Sequence, residues 1–200
     1  MVEWTKAAVN EIIEFVKKSQ ELIDWSQVND MITLLLRTKM RDRSVLVIGM
    51  GRSGFVGKAF ALRLMHLGFR VYVFGETITP AIGKDDVIIA ISGSGETNVV
   101  IRAAEVAKSI GATVIAITSR PESPLAKISN KIVTVPGRTR LASEQDYYVR
   151  QLIGEHEPLA PLGTLFEITA MILLDGMIAE LMKRLGLTEE ELKARHATIE

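Results

Sequence analysis

The sequence predicts a single α/β domain: a parallel sheet of five strands flanked by helices, with helical extensions at both ends. Five short apolar runs, at residues 45–48, 71–74, 87–91, 113–117 and 132–135, are each bounded by turn residues. Helical segments at 55–67 and 99–110 lie between them, and strands alternating with helices argue for βαβ units. The central runs are continuously apolar, as in strands covered on both faces.

The first forty residues read as two helices. Ala8, Ile12, Ile13, Phe15 and Val16 recur near helical spacing, and Ser26 is the expected cap of a second helix carrying Ile32, Leu35 and Leu36. The domain therefore divides into N-terminal helices (1–42), the sheet with its turns (43–135), one long loop (136–162) and C-terminal helices (163–200). The long loop carries Gly137, Arg138, Arg140, Tyr147, Tyr148, Arg150 and His156, and its stretch 144–152 has the makings of a short helix. Loops of this length are usually functional or mobile. The C-terminal helices are expected at 164–185 and 189–195.

Composition narrows the function. Among 200 residues, 24 Lys and Arg balance 24 Asp and Glu, so the charge footprint of a nucleic-acid binder is missing. Without cysteine there is no disulfide framework, thiolate zinc site or cysteine nucleophile. The N-terminal residues mix acids and lysines without a clean apolar core, unlike a secretory signal. The most hydrophobic long stretch, 163–182, is interrupted by Glu167, Asp175 and Glu180. It reads as a buried helix, not a membrane span, and the expected location is the cytoplasm.

Two glycine-rich turns carry the chemistry. Gly49-Met50-Gly51-Arg52-Ser53-Gly54 follows the first strand and opens a helix. It matches the dinucleotide-binding pattern G-x-G-x-x-G, with Glu76 near the place of the ribose-binding acid. The underlying physics is broader, because free N–H groups at a helix N-terminus attract any anion. Ser92-Gly93-Ser94-Gly95-Glu96-Thr97 follows the third strand. Its three hydroxyls, interleaved with glycines, suit a phosphate held by O–H and N–H donors, which a dinucleotide fold does not require there. The plainer alternative is a Ser/Gly turn in which Thr97 is an ordinary helix cap.

At these residues the sequence resembles the sugar isomerase (SIS) domain family. Ser92, Ser94, Gly95 and Thr97 match its Ser-x-Ser-Gly-x-Thr phosphate loop, and Gly51 and Ser53 match its Gly-x-Ser. Further stretches are similar to the 6-phospho-3-hexuloisomerases within that family: Gly51 to Gly54, the segment 61–69, Gly75-Glu76-Thr77 with Pro80, and Pro161 to Glu167. The resemblance implies a five-stranded parallel sheet. It also implies interconversion of D-arabino-3-hexulose 6-phosphate and D-fructose 6-phosphate, in the ribulose monophosphate route of formaldehyde fixation or its reverse.

Such a reaction needs a base to move a proton between adjacent carbons and polar groups to steady the enediol(ate). It demands no redox cofactor and no metal. The expected substrate-binding residues are Gly51, Arg52, Ser53, Ser92, Gly93, Ser94, Gly95, Glu96 and Thr97. Glu167 is the expected base, a role the resemblance supports. The competing reading makes Thr164-Leu165-Phe166-Glu167 a capping box, with Glu167 bonded only to the Thr164 backbone. His196 is the second catalytic residue the resemblance suggests, shared between subunits; otherwise it is a solvated tail histidine. His66 is expected to pack between helix and sheet. Arg52 either meets the substrate or lies on the surface over a helix N-terminus, where its charge is unfavourable. Glu76 either binds a sugar hydroxyl or caps the turn at Gly75.

Two other functions compete: a non-catalytic sugar-phosphate sensor, and an NAD-dependent oxidoreductase resting on Gly49, Gly51, Gly54 and Glu76. The first forty residues leave little room for a DNA-binding domain, and the oxidoreductase reading leaves the 92–97 loop unexplained. The apolar positions Ile168, Met171, Ile172, Leu173, Leu174, Met177 and Ile178 are either all core or partly an interface. The resemblance favours a homodimer or homotetramer with sites near subunit boundaries.

Overall fold

In the computed structural model, which describes residues 2–137, 159–161 and 163–195, helices α1 (Glu3–Leu22) and α2 (Trp25–Met40) precede the sheet. The chain continues through β1 (Ser44–Gly49), α3 (Gly51–His66), β2 (Arg70–Val73), β3 (Val87–Ile91) and α4 (Asn98–Ser109). Then come β4 (Thr113–Thr118), α5 (Pro124–Ile128) and β5 (Lys131–Thr134). Helices α6 (Thr164–Leu185) and α7 (Glu189–Lys193) follow the loop. Among the described residues no helix is long and apolar enough to cross a membrane.

All five strands are parallel, in the order β2-β1-β3-β4-β5. Alternate side chains face opposite ways, as a period of two requires. Val45, Val47, Ile89, Ile91, Ile115 and Ile117 join the core built with α2, α3 and α6, whereas Leu46, Ile48, Ile88, Ala90, Val114 and Ala116 pack with α4 and α5. This two-sided burial accounts for the unbroken apolar runs of the central strands. At the edge, β2 is only partly covered.

The expected strands, the helices at both ends and those after β1 and β3 are present, with local differences, and the stretch 144–152 lies outside the described residues. Helix α3 begins at Gly51, four residues before the predicted start at 55, so Arg52 and Ser53 belong to its first turn. The short helix α5 was not anticipated; Pro124 occupies its first turn and the Ser123 hydroxyl caps it. Helix α2 is capped by Asp24, not Ser26: the Asp24 carboxylate accepts from the Ser26 amide at 2.9 Å and from the Ser26 hydroxyl at 2.6 Å. Asp24 has the extended backbone of a cap, which places Ser26 inside the helix as a donor.

Ahead of β3, the buried Asp86 carboxylate accepts from the amides of Ser44 and Gly83, each at 2.8 Å. It thereby joins the start of β1 to the turn before β3. Asp86→Ala leaves those donors unpaired and is expected to cost about 1–3 kcal/mol, measured by urea unfolding. The Ser26 hydroxyl and then its amide hold the Asp24 carboxyl below the usual carboxylate range. Asp24 therefore adds stability above its unfolded pKa of about 3.9 and loses it as pH falls through the lower folded value. The stability gap between the protein and Asp24→Ala should be present at pH 6 and shrink in melts at progressively lower pH.

Candidate active site

The chain winds outward in both directions from the boundary between β1 and β3. From β1 it passes through α3 to β2, and from β3 through α4 to β4. In open α/β sheets ligands bind at such a reversal, beyond the carboxyl ends of the strands. A cleft of about 310 Å³ lies there, lined by Ser53, Ser92, Gly93, Ser94, Thr97 and Glu167 together with Met50, Ser119, Arg120 and Phe166, among others.

The first turn is shaped by close packing. A Cβ on Gly54 would lie 2.8 Å from the Gly49 carbonyl oxygen, so the strand end and the first turn of α3 pass too closely for a side chain. The spaced glycines thus have a structural cause that holds for any ligand. Of this turn, Met50 and Ser53 line the cleft, while Gly51 and Arg52 do not. Glu76 is also outside the lining, half-exposed and ion-paired with Lys58 at 2.5 Å.

The second turn is a hydroxyl-lined loop. Ser92 is buried, accepts the Gly95 amide at 3.1 Å and shares a hydrogen bond with the Thr97 hydroxyl at 2.9 Å. Thr97 occupies the N-cap position of α4, yet its side chain makes no cap bond. The reading of Thr97 as an ordinary side-chain cap is therefore corrected: its hydroxyl turns to Ser92. Ser94 is exposed and, among the described residues, accepts only a local bond from the Glu96 amide at 3.2 Å. Gly93 and Ser94 line the cleft, but Gly95 and Glu96 do not; the exposed Glu96 pairs with Arg120.

A second segment, absent from the sequence expectations, braces this loop. The hydroxyls of Thr118 and Ser119 donate to the Gly93 carbonyl at 3.2 and 2.7 Å, and the Ser119 amide adds a third bond at 3.1 Å. Gly95 has φ of +65°, and a Cβ there would fall 2.0 Å from the Ser123 hydroxyl. The Leu125 amide donates to the Gly95 carbonyl at 3.1 Å. Thr118 ends β4, next to β3 in the sheet. A position just past the strand beside the winding reversal was the available signal for Ser119 and Arg120.

Glu167 lies in the first turn of α6, with its side chain 12% exposed. The expected capping box at Thr164 is not formed. Gly163 is the N-cap residue, with φ of 89°, and no side chain caps the helix. This left-handed residue puts Thr164 inside the helix, so its hydroxyl is one position too late to cap. The Glu167 carboxylate pairs instead with Arg52 across the cleft wall. That pair also counters the unfavourable placement of Arg52 in the first turn of α3. A formed capping box occurs further on, between Thr188 and Glu191.

His66 is buried at the end of α3, in line with the expectation of a packed residue. His196, His156, Arg138, Arg140, Tyr147, Tyr148 and Arg150 lie outside the described residues. The residue before His196, Arg195, donates to the His66 carbonyl at 2.8 Å. This tie is at the end of α3 remote from the cleft.

The two loop serines should separate in a stability test. Ser92→Ala removes internal bonds of a buried loop and is expected to cost about 1–2 kcal/mol in urea unfolding. Ser94→Ala should stay within about 0.5 kcal/mol of the parent.

Comparison with known proteins finds the same fold and related sequences. An SIS domain pattern matches residues 40–153. An uncharacterized protein of Aeropyrum pernix is 54% identical over 96% of this chain and 91% of its own. The 3-hexulose-6-phosphate isomerase of Bacillus subtilis is 34% identical over 98% of this chain and 99% of its own. A Methanococcus jannaschii crystal structure, from which a 3-hexulose-6-phosphate isomerase function was inferred, superposes with a TM-score of 0.73 at 36% identity, covering 98% of each chain. With its Ser-x-Ser-Gly-x-Thr turn, its five-stranded parallel sheet and these relatives, the chain belongs to the SIS domain family.

Proposed function

We propose that the protein is a sugar-phosphate isomerase that interconverts D-arabino-3-hexulose 6-phosphate and D-fructose 6-phosphate, the reaction that serves the ribulose monophosphate route. The observation that carries this reading is a single cleft lined by both the hydroxyls of Ser53, Ser92, Ser94 and Thr97 and the carboxylate residue Glu167. Relatives named for the same reaction, at 34–38% identity, support it.

In this mechanism the hydroxyls and the amides at the start of α4 hold the phosphate. That remote binding energy sets the reacting carbons beside Glu167. Glu167 removes the proton from C2 of the 3-ketose, and the electron pair forms an enediolate across C2 and C3. The proton returns at C3, while the hydroxyl proton passes from O2 to O3, leaving the carbonyl at C2. Arg52 orients the carboxylate through their ion pair. The chemistry needs no electron acceptor, because oxidation at one carbon is matched by reduction at its neighbour.

His196 enters this proposal as a residue that serves a neighbouring copy. Its predecessor is held at the far end of the 16-residue α3, about 24 Å along the helix from the cleft. A copy-to-copy arrangement also suits an apolar groove of about 440 Å³ between α1, α2 and α6, where Trp25 and Ile172 stay 56% and 51% exposed. By contrast Leu173, Leu174, Met177 and Ile178 are core.

Glu167→Gln keeps the shape of the side chain but removes the base. It is expected to lower kcat about 10²–10⁴-fold in a coupled assay of fructose 6-phosphate formation, with its circular dichroism unchanged. Near-parental turnover by the folded variant would remove Glu167 from the chemistry. In light scattering, a dimer or tetramer is expected; a monomer at assay concentration would remove His196 from it.

A further inference from the structure

Among the described residues, the cleft is lined by one basic side chain, Arg120, and one acidic side chain, Glu167. A sugar phosphate brings up to two negative charges into it. Loop hydroxyls and amides offer dipoles to those charges but no net positive charge. A guanidinium adds charge-assisted hydrogen bonds of roughly twice the strength of neutral ones.

Arg120 is positioned for this. Its amide donates to the Thr118 hydroxyl at 3.2 Å, and its carbonyl accepts from the Ser123 amide at 3.1 Å. Both partners belong to the segment that braces the phosphate loop. Its Nη1 donates to Oε1 of Glu96 at 3.2 Å, and Glu96 is itself a loop residue. An ion pair this exposed adds little to stability, so folding gives it small reason to exist. It does confine a flexible side chain to the mouth of the loop, and a guanidinium has five N–H donors, enough to keep Glu96 and still reach phosphate oxygens.

We propose that Arg120 is a substrate-binding residue that supplies the counter-charge to the phosphate, and that Glu96 is a positioning residue holding it there. The inference rests on the phosphorylated substrate proposed above. It changes the expected role of Glu96, whose own negative charge would repel a phosphate unless Arg120 lay between them.

The test is calorimetric titration of the full-length protein with D-fructose 6-phosphate at several salt concentrations, alongside KM and kcat for the isomerisation. Arg120→Gln should weaken binding about 10- to 100-fold, with the loss carried mainly by KM and a flatter dependence of affinity on salt. Arg120→Lys, which keeps the charge without the fork, should recover part of the loss. Glu96→Gln should weaken binding in the parent yet strengthen it in the Arg120→Gln background, where only the repulsion remains. That reversal of sign is not expected of a merely structural role.

If the parent binds fructose 6-phosphate and Arg120→Gln binds it within twofold at the same salt slope, the assignment of Arg120 is overturned and the proposed function stands. If Arg120→Gln does not fold, Arg120→Lys decides: parental affinity and salt slope, together with a Glu96→Gln effect below twofold, overturn the assignment. A parent that neither binds nor turns over sugar phosphates overturns the proposed function and this inference with it.

Discussion

The rest of the molecule depends on the reversal of winding between β1 and β3. With β1 and β3 as neighbours and their crossovers leaving in opposite directions, two helices cannot both close over the strand ends at that boundary. A cleft is left where two glycine-rich turns meet. The same reversal distributes the helices over both faces of the sheet, α2, α3 and α6 on one and α4 and α5 on the other. Covering both faces demands the apolar central strands, and the cleft sits beyond the carboxyl ends of two of them.

On that frame the site combines buried hydroxyls that hold its own loop together with exposed groups, such as Ser94, that make only local bonds. The 92–97 loop bonds within itself through Ser92 and Thr97 and is pinned from outside by Thr118 and Ser119. Its conformation is therefore set before a ligand arrives, and preorganised donors need not be reordered on binding. The two ion pairs at the cleft, Arg52 with Glu167 and Arg120 with Glu96, join elements far apart in the chain. One holds Glu167, the proposed base, and the other stands at the 92–97 loop.

Helix boundaries show where local reasoning succeeds and where it stops. The Ser-Gly loop and the strand-turn-helix order were legible because each depends on near neighbours in the chain. The Thr164 capping box was legible in the same way and did not form. Its pattern was complete, but Gly163 takes a left-handed turn and moves the cap one residue upstream. Ser26 gave way to Asp24 for a related reason, since hydroxyl and carboxylate lie two residues apart at the helix start and the carboxylate took the extended cap residue. The helix α5 went unnoticed because five residues are too few to display a period.

By itself the sequence determined the fold class, the five strands and the two turns that hold Ser53, Ser92, Ser94 and Thr97, because glycine, hydroxyl and apolar patterns act over a few residues. Tertiary structure alone decided that Glu167 would face Arg52 instead of Thr164, and that Ser119 and Arg120 would stand at the 92–97 loop. These partners lie more than twenty residues apart. Such pairings depend on how strands order themselves in the sheet, and no local pattern in the chain encodes that distance.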